Sequence, residues 1–334
     1  MKIAVFVYSQ SGQAYDVAKS IFCEAQEGDL EVVFKTIVPE QDYPFPWDKY
    51  TFFDTFPETR LGIPPSGIKP IDTSDIEDAD IVGIVGQSWF LSPSLPLQSF
   101  FADQQIKGYL KGRKIVFVNV CRNMWLMTAK WVKNYLSEID AMLVGHIVLQ
   151  DEAPNLISAA TIVRWLINGK KEGNAFLPSA GISPKDISEA RKFGVIIRDF
   201  CEAQTTDFRR GRKSDKTLSI SLSPQTTDSR PWRESDKTLS ISLSPQATDL
   251  QSKLLSAGAI HYKPSILHIE KIGHRMFGLW AKFIRKKGGF RAPQRRNRVY
   301  LFYAYLVFVL FFISPFVQLL FYLTYPLHKR SYEL

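Results

Sequence analysis

The chain has 334 residues and a formal charge of +9, unevenly spread: residues 251–334 hold 14 Lys and Arg against Glu270 and Glu333, a balance of +12, which leaves residues 1–250 at −3. The basicity thus belongs to one end, where anionic lipid accounts for it at about 1 kcal/mol per basic residue, and no recognition helix, finger or stacking motif argues for nucleic acid. Cys23, Cys121 and Cys201 are too few and too scattered for a disulfide framework, and no His/Cys spacing suggests a metal.

In chain order, Ile3 to Tyr8 is an apolar run that opens a strand directly, without the parts of a secretory signal. A tight loop follows, then a helix over Ala14 to Ala25 with Val17, Ala18, Ile21 and Phe22 on one face. Leu30 to Val38, Asp80 to Val85, Lys114 to Val120 and Met142 to Leu149 predict four more strands, each short and rich in Val and Ile, as strands buried on both faces are. Met124 to Leu136 and Ser183 to Ala203 predict helices, the second with Ser183-Pro184 at its start. Five strands interleaved with helices over 1–203 predict one α/β domain with a doubly wound parallel sheet. Two insertions interrupt it. Pro39 to Pro70 is crowded with aromatics, and Asp151 to Pro178 adds Trp165 and Leu166. Both are expected to line an apolar pocket at the carboxyl ends of the strands or to form a dimer interface.

Residues 204–250 form a linker with an internal repeat: SDKTLSISLSPQTTD at 214–228 returns with one change at 235–249, a period of 21 residues. With three apolar residues per copy, disorder is expected, with a small hairpin as the alternative. Residues 251–298 are a basic amphipathic juxtamembrane region, in which 269–288 reads as an interfacial helix or as one packed on the domain. Val299 to Leu327 carries no charge, and 299–323 predicts a transmembrane helix before a short tail at 324–334. The preceding Lys/Arg cluster places the globular domain in the cytoplasm, single-pass at the cytoplasmic membrane. Ser314-Pro315 leaves open a hairpin that dips in and returns, and a buried core helix is the other alternative.

Ser9-Gln10-Ser11-Gly12-Gln13 joins the first strand to the first helix, where backbone N–H groups and two hydroxyls suit a phosphate; an ordinary polar turn is the plain alternative. The lysine of a nucleotide-hydrolysing loop and the Gly-x-Gly-x-x-Gly of dinucleotide folds are both missing. Followed by Ala14, this loop resembles that of flavodoxins, which wraps the phosphate of FMN, although Ala14 replaces a hydroxyl of that pattern. The resemblance implies a five-stranded flavodoxin-like sheet with the flavin ring held by the loops after the third and fourth strands. Here those loops carry Gln87, Trp89 and Phe90, and Cys121, Arg122, Asn123 and Trp125. Trp89 and Trp125 are the candidate stacking residues, with core packing as the alternative.

Taken with Tyr43-Pro44-Phe45-Pro46-Trp47, Phe53-Asp54-Thr55-Phe56-Pro57-Glu58, Trp89-Phe90-Leu91-Ser92-Pro93-Ser94-Leu95-Pro96 and Cys121-Arg122-Asn123-Met124-Trp125, the chain is similar to the bacterial dialkylresorcinol condensing enzyme family over 1–203 and about 257–334. The repeated insert departs from it. The resemblance implies condensation or cyclisation of β-ketoacyl thioester-derived chains into an alkylated ring, with acyl thioester substrates, a ketosynthase partner, an adjoining lipid bilayer and an oligomeric state left open. Cys121, with Arg122 beside it to favour a thiolate, is the candidate nucleophile, against a buried structural cysteine. An FMN-dependent membrane oxidoreductase is the alternative function, and a flavin-free scaffold a third.

Overall fold

The computed structural model describes residues 1–26, 30–209, 245–261 and 263–328. Its strands are β1 (Lys2–Val7), β2 (Glu31–Thr36), β3 (Ile81–Trp89), the two-residue β4 (Ser92–Pro93), β5 (Lys114–Cys121) and β6 (Met142–Gln150). Helix α1 (Gln13–Phe22) follows β1; α2 (Lys49–Asp54) and α3 (Phe56–Leu61) precede β3; α4 (Leu95–Ala102) and α5 (Gln104–Leu110) precede β5; α6 (Leu126–Glu138) joins β5 to β6. Beyond the sheet come α7 (Asn155–Asn168), α8 (Pro184–Glu189), α9 (Arg191–Arg209), α10 (Pro245–Ser256), α11 (Pro264–Arg285), α12 (Arg296–Phe308) and α13 (Ser314–His328).

The main sheet runs β2-β1-β3-β5-β6, parallel throughout, with β4 turned back antiparallel on the end of β3. This is the strand order of the flavodoxin-like doubly wound sheet. Alternate side chains feed two cores. Ile3, Val5 and Val7 meet α1 and α9 on one face, and Phe6, Ile84 and Phe117 meet α4, α5 and α6 on the other. Helices α1 and α9 cross so closely that a Cβ on Gly194 would stand 1.9 Å from the Ile21 carbonyl oxygen.

The closing helix expected over Ser183 to Ala203 is split into α8 and α9, and α9 continues to Arg209. Most of the repeat lies outside the described residues; its last five, 245–249, open α10. Helix α10 is no linker: Leu250 and Leu254 are buried in the sheet core. Gln251 Oε1 accepts from His146 N–H of β6 at 2.6 Å, and Val148 N–H donates to the Ala259 carbonyl at 2.8 Å. These bonds cover the outer edge of β6, which would otherwise present unpaired backbone groups.

The aromatic insertion forms α2 and α3 and meets the C-terminal helices. Phe53 and Phe56 share a core with Ala281, Ile284, Val299 and Phe302, and Phe56 stacks on Phe302 with ring centroids 3.8 Å apart. Beneath them Arg295, fully buried, donates to Asp54 Oδ1 at 2.6 Å and to Glu58 Oε1 and Oε2 at 2.7 and 2.9 Å. The insertion's centre is therefore a seat for the C-terminal segment, where a ligand pocket or dimer face had been expected. The juxtamembrane helix correspondingly rests on the domain, through Ala281 and Ile284 of α11.

Pro293–Thr324 is one helix of 32 residues, long and apolar enough to cross a membrane. It does not fold back at Ser314-Pro315. A π-helical turn at Val309–Ile313 precedes these residues and the chain stays helical through them, a known way for a helix to absorb a proline that lacks an N–H and crowds the turn before it.

Candidate functional site

The loops after β1, β3 and β5 meet at the carboxyl ends of the strands, the crevice where such sheets bind ligands. Gln10 ties the first loop to the end of β3 and to the segment after β2: its N–H donates to Gln87 Oε1 at 3.2 Å, and its side-chain amide donates to the Tyr43 and Pro44 carbonyls at 2.9 Å each. Tyr8 O–H donates to Gln10 Oε1. Ser9 Oγ accepts from Ala14 N–H at 3.1 Å and so caps α1. Gln13 is buried and clamps Ile182, donating to its carbonyl at 2.9 Å and accepting from its N–H at 3.0 Å. The side chains of Ser9, Gln10 and Gln13 are therefore taken up by bonds within the protein.

Ser11 and Gly12 differ. Gly12 has φ 88°, a left-handed conformation that favours glycine, and a Cβ built on it would meet nothing within 4 Å. Among the described residues, no protein acceptor takes the Ser11 hydroxyl or the N–H groups of Ser11, Gly12 and Gln13. Three backbone donors and a hydroxyl at the positive end of α1, under open space, form an anion cradle of the kind a phosphate fits.

The ring-stacking candidates part company. Trp89 is half-buried in a nest of edge-on aromatics, with Tyr43 and Trp47 both 5.6 Å away and Tyr8 at 6.1 Å. Trp125 is buried with Cys121, Leu126 and Leu267, and its ring meets His146 edge-on at 5.7 Å. It offers no open face to a ligand. Next to Trp89, the β3–β4 turn holds Phe90 at φ 46° and Leu91 at φ 63°, a conformation costly for bulky residues. Packing compels it: Phe90 lies among Phe52, Phe53 and Phe56 at 5.1–6.2 Å, and a Cβ on Gly273 of α11 would touch Leu91 Cδ1 at 3.3 Å.

Cys121 does not suit the nucleophile's role. It is buried, and burial first, then the nearby Glu270 charge, push its thiol well above the ordinary range, outweighing the pull of Arg122. Arg122 braces the loops after β5 and β6: Nη1 donates to Asn155 O at 2.9 Å and Oδ1 at 2.7 Å, while Asn123 Nδ2 donates to the same Oδ1 at 3.1 Å. Burial lowers the guanidinium to about 10, so it stays charged at neutral pH.

Glu270 is the residue that sequence reasoning missed. It reaches from α11 to the first turn of α6, accepting from Leu126 N–H at 3.2 Å and Met127 N–H at 2.8 Å, wholly out of solvent. It caps that helix as a local Asp or Ser would, but from 144 positions away. Burial lifts its pKa from 4.5 to about 7, against the N–H groups of residues 125–127 and the Arg122 charge, which favour the carboxylate.

A cavity of about 300 Å³ lies elsewhere, between the end of β6, α8 and α9, lined by Glu152, Asp186, Glu189 and His261, away from the anion cradle.

No protein-family model and no curated protein matches the chain. Among solved structures it is similar to a flavodoxin from the domain Archaea, at 12% identity over 60% of this chain and 99% of that one, TM-score 0.34. It is also similar to a flavoprotein in complex with FMN from Lactobacillus acidophilus NCFM, at 18% identity over 45% and 89%, TM-score 0.33. RosB with the bound intermediate 8-demethyl-8-formylriboflavin-5'-phosphate aligns at 11% identity over 71% and 98%, TM-score 0.31. The chain's own strand order, β2-β1-β3-β5-β6, makes the domain flavodoxin-like in fold.

Proposed function

We propose that this is a membrane-anchored flavodoxin-like protein of dialkylresorcinol-type biosynthesis, condensing or cyclising β-ketoacyl thioester-derived chains at the cytoplasmic membrane with its domain in the cytoplasm. The observation that carries the reading is the seating of the apolar C-terminal segment against the crevice itself. Phe90 and Leu91 at the end of β3 touch its elements, and Glu270 caps the helix that follows β5. A substrate reaching that crevice stays beside the bilayer, which suits long acyl chains that gain about 0.8 kcal/mol per buried methylene. The motif resemblance supplies the chemistry, and a ketosynthase partner would deliver the thioesters. With Cys121 held as a thiol, the Arg122 cation is this chain's candidate for stabilising a developing enolate.

Deleting the gene is expected to remove a lipophilic aromatic species from solvent extracts. Restoring the chain with Cys121→Ala should bring the product back, whereas Arg122→Gln should not. An unchanged extract from the deletion strain refutes the condensing role.

The anion cradle favours a second reading, an FMN-dependent oxidoreductase. Ser11, Gly12 and Gln13 would hold the phosphate and Trp89 would flank the ring; bound there, FMN supplies electron-transfer chemistry. Purified protein should take up FMN at micromolar concentration. Gly12→Val should abolish uptake, because a β-branched residue cannot hold φ 88° without distorting the cradle. Intact protein that takes up no FMN removes this reading.

A further inference from the structure

We propose that the apolar C-terminal helix lies in the plane of one membrane leaflet, its outward face covered by acyl chains, instead of crossing the bilayer; this rests on the membrane-anchored reading above. The helix runs back along α11, antiparallel to it, and touches it near both ends. At one end Arg298 Nη1 donates to the Phe283 carbonyl, and Trp280 meets Phe302 and Tyr305 at 5.8 and 4.9 Å. At the other, the His268 and Phe321 rings are 5.2 Å apart and Ser265 Oγ stands 3.5 Å from Tyr322 Oη. Helix α11 is itself fixed to the domain by Glu270 at α6 and by Arg60, whose Nε and Nη2 donate to the His274 carbonyl at 3.1 and 2.8 Å. A helix crossing about 30 Å of hydrocarbon in this arrangement would carry α11, its exposed Lys271, Arg275 and Lys282, and the edge of the domain in with it.

The few buried side chains of the helix lie on one side, and the most exposed ones lie opposite. Val299, Phe302, Ser314 and Phe321 are buried towards α11 and the domain. Leu301, Phe308, Phe312, Phe316, Leu319 and Leu323, spaced to fall on the opposite face, are 53–75% exposed, and Leu320 and Tyr322 on the flanks are exposed at 61 and 60%. Helix α11 adds a second exposed apolar row at Ile272, Met276, Leu279 and Phe283, beside its basic residues, where anionic headgroups would meet them. Basic residues also stand at both ends of the uncharged run, Arg296 and Arg298 before it and Lys329 and Arg330 after it. Positive charge at both ends keeps both on the cytoplasmic side.

The test uses the full chain in intact cells, in a Cys23→Ser background because Cys23 is the exposed thiol. Tyr332→Cys is expected to resist an impermeant maleimide from outside and to react once the cells are permeabilised. In isolated membranes, His268→Cys with Phe321→Cys should be joined within one chain by a short bismaleimide. Labelling from outside, loss of the intrachain link while the protein stays at the membrane, or links only between two chains would each overturn the in-plane geometry. Recovery of the protein in the soluble fraction would instead overturn the membrane-anchored reading beneath it.

Discussion

Arg295→Ala is expected to cost about 3–5 kcal/mol of unfolding free energy, the range for removing one partner of a buried ion pair. The guanidinium is completely buried and serves two carboxylates with almost no solvent contact of their own, Asp54 and Glu58. Without it Asp54 loses its only ion-pair partner among the described residues, while Glu58 keeps Arg285 at 2.6 Å. The loss should therefore fall hardest on the contact between α2 and the start of α12. Urea unfolding of the detergent-solubilised chain measures it, and proteolysis between α11 and α12 should become faster. High salt should not mimic the substitution, because a buried pair is poorly screened. Replacing Asp54, Glu58 and Arg295 together by Asn, Gln and Met should recover much of the loss, since a matched apolar or neutral set pays no charge burial. A change below about 1 kcal/mol in Arg295→Ala would mean that the C-terminal segment is held by its aromatic contacts alone.

Glu270→Leu is expected to cost roughly 2–4 kcal/mol, because the Leu126 and Met127 N–H groups lose their acceptor inside the protein. Glu270→Gln keeps one acceptor oxygen and should cost less. The pair also carries a pH signature. The carboxyl pKa rises from 4.5 unfolded to about 7 folded, so between those values the folded state holds the proton more tightly. Its contribution is complete below pH 4.5 and is lost as pH rises through 7, an effect on the order of 3 kcal/mol at most. His146 and His274 run the other way: burial lowers both from 6.5 to about 4, so they cost stability as pH falls through that window. Comparing wild type with Glu270→Gln cancels the histidines. The wild-type advantage should shrink from pH 4.5 to 7, and a pH-independent difference would show that Glu270 is ionised throughout.

Local signals made the sheet and the first loop legible. Each core strand is a short run of Val and Ile between turn residues, a pattern that specifies burial on both faces wherever the partners lie. The first loop is equally local, since Ser11, Gly12 and Gln13 are neighbours and Gly12 at φ 88° turns the chain from β1 into α1. The length and apolarity of 299–323 were likewise plain from composition.

What the sequence could not disclose depends on contacts between distant segments. Arg295 looks like one basic residue among many at a membrane edge, yet it is wholly buried between Asp54 and Glu58, which lie 241 and 237 positions away. Cys121 beside Arg122 suggests a thiolate, but its ionisation is set by burial with Val148 and Leu267, which no neighbour in sequence reports. By itself the sequence determined the parallel sheet, the tight turn between the first strand and the first helix, and the apolar, basic-flanked C-terminus, since periodicity and composition act within a few residues. Only the tertiary structure decided that this C-terminus folds back onto the domain and that Glu270 caps the helix after β5, because a buried charge is placed by whichever partner the fold brings to it.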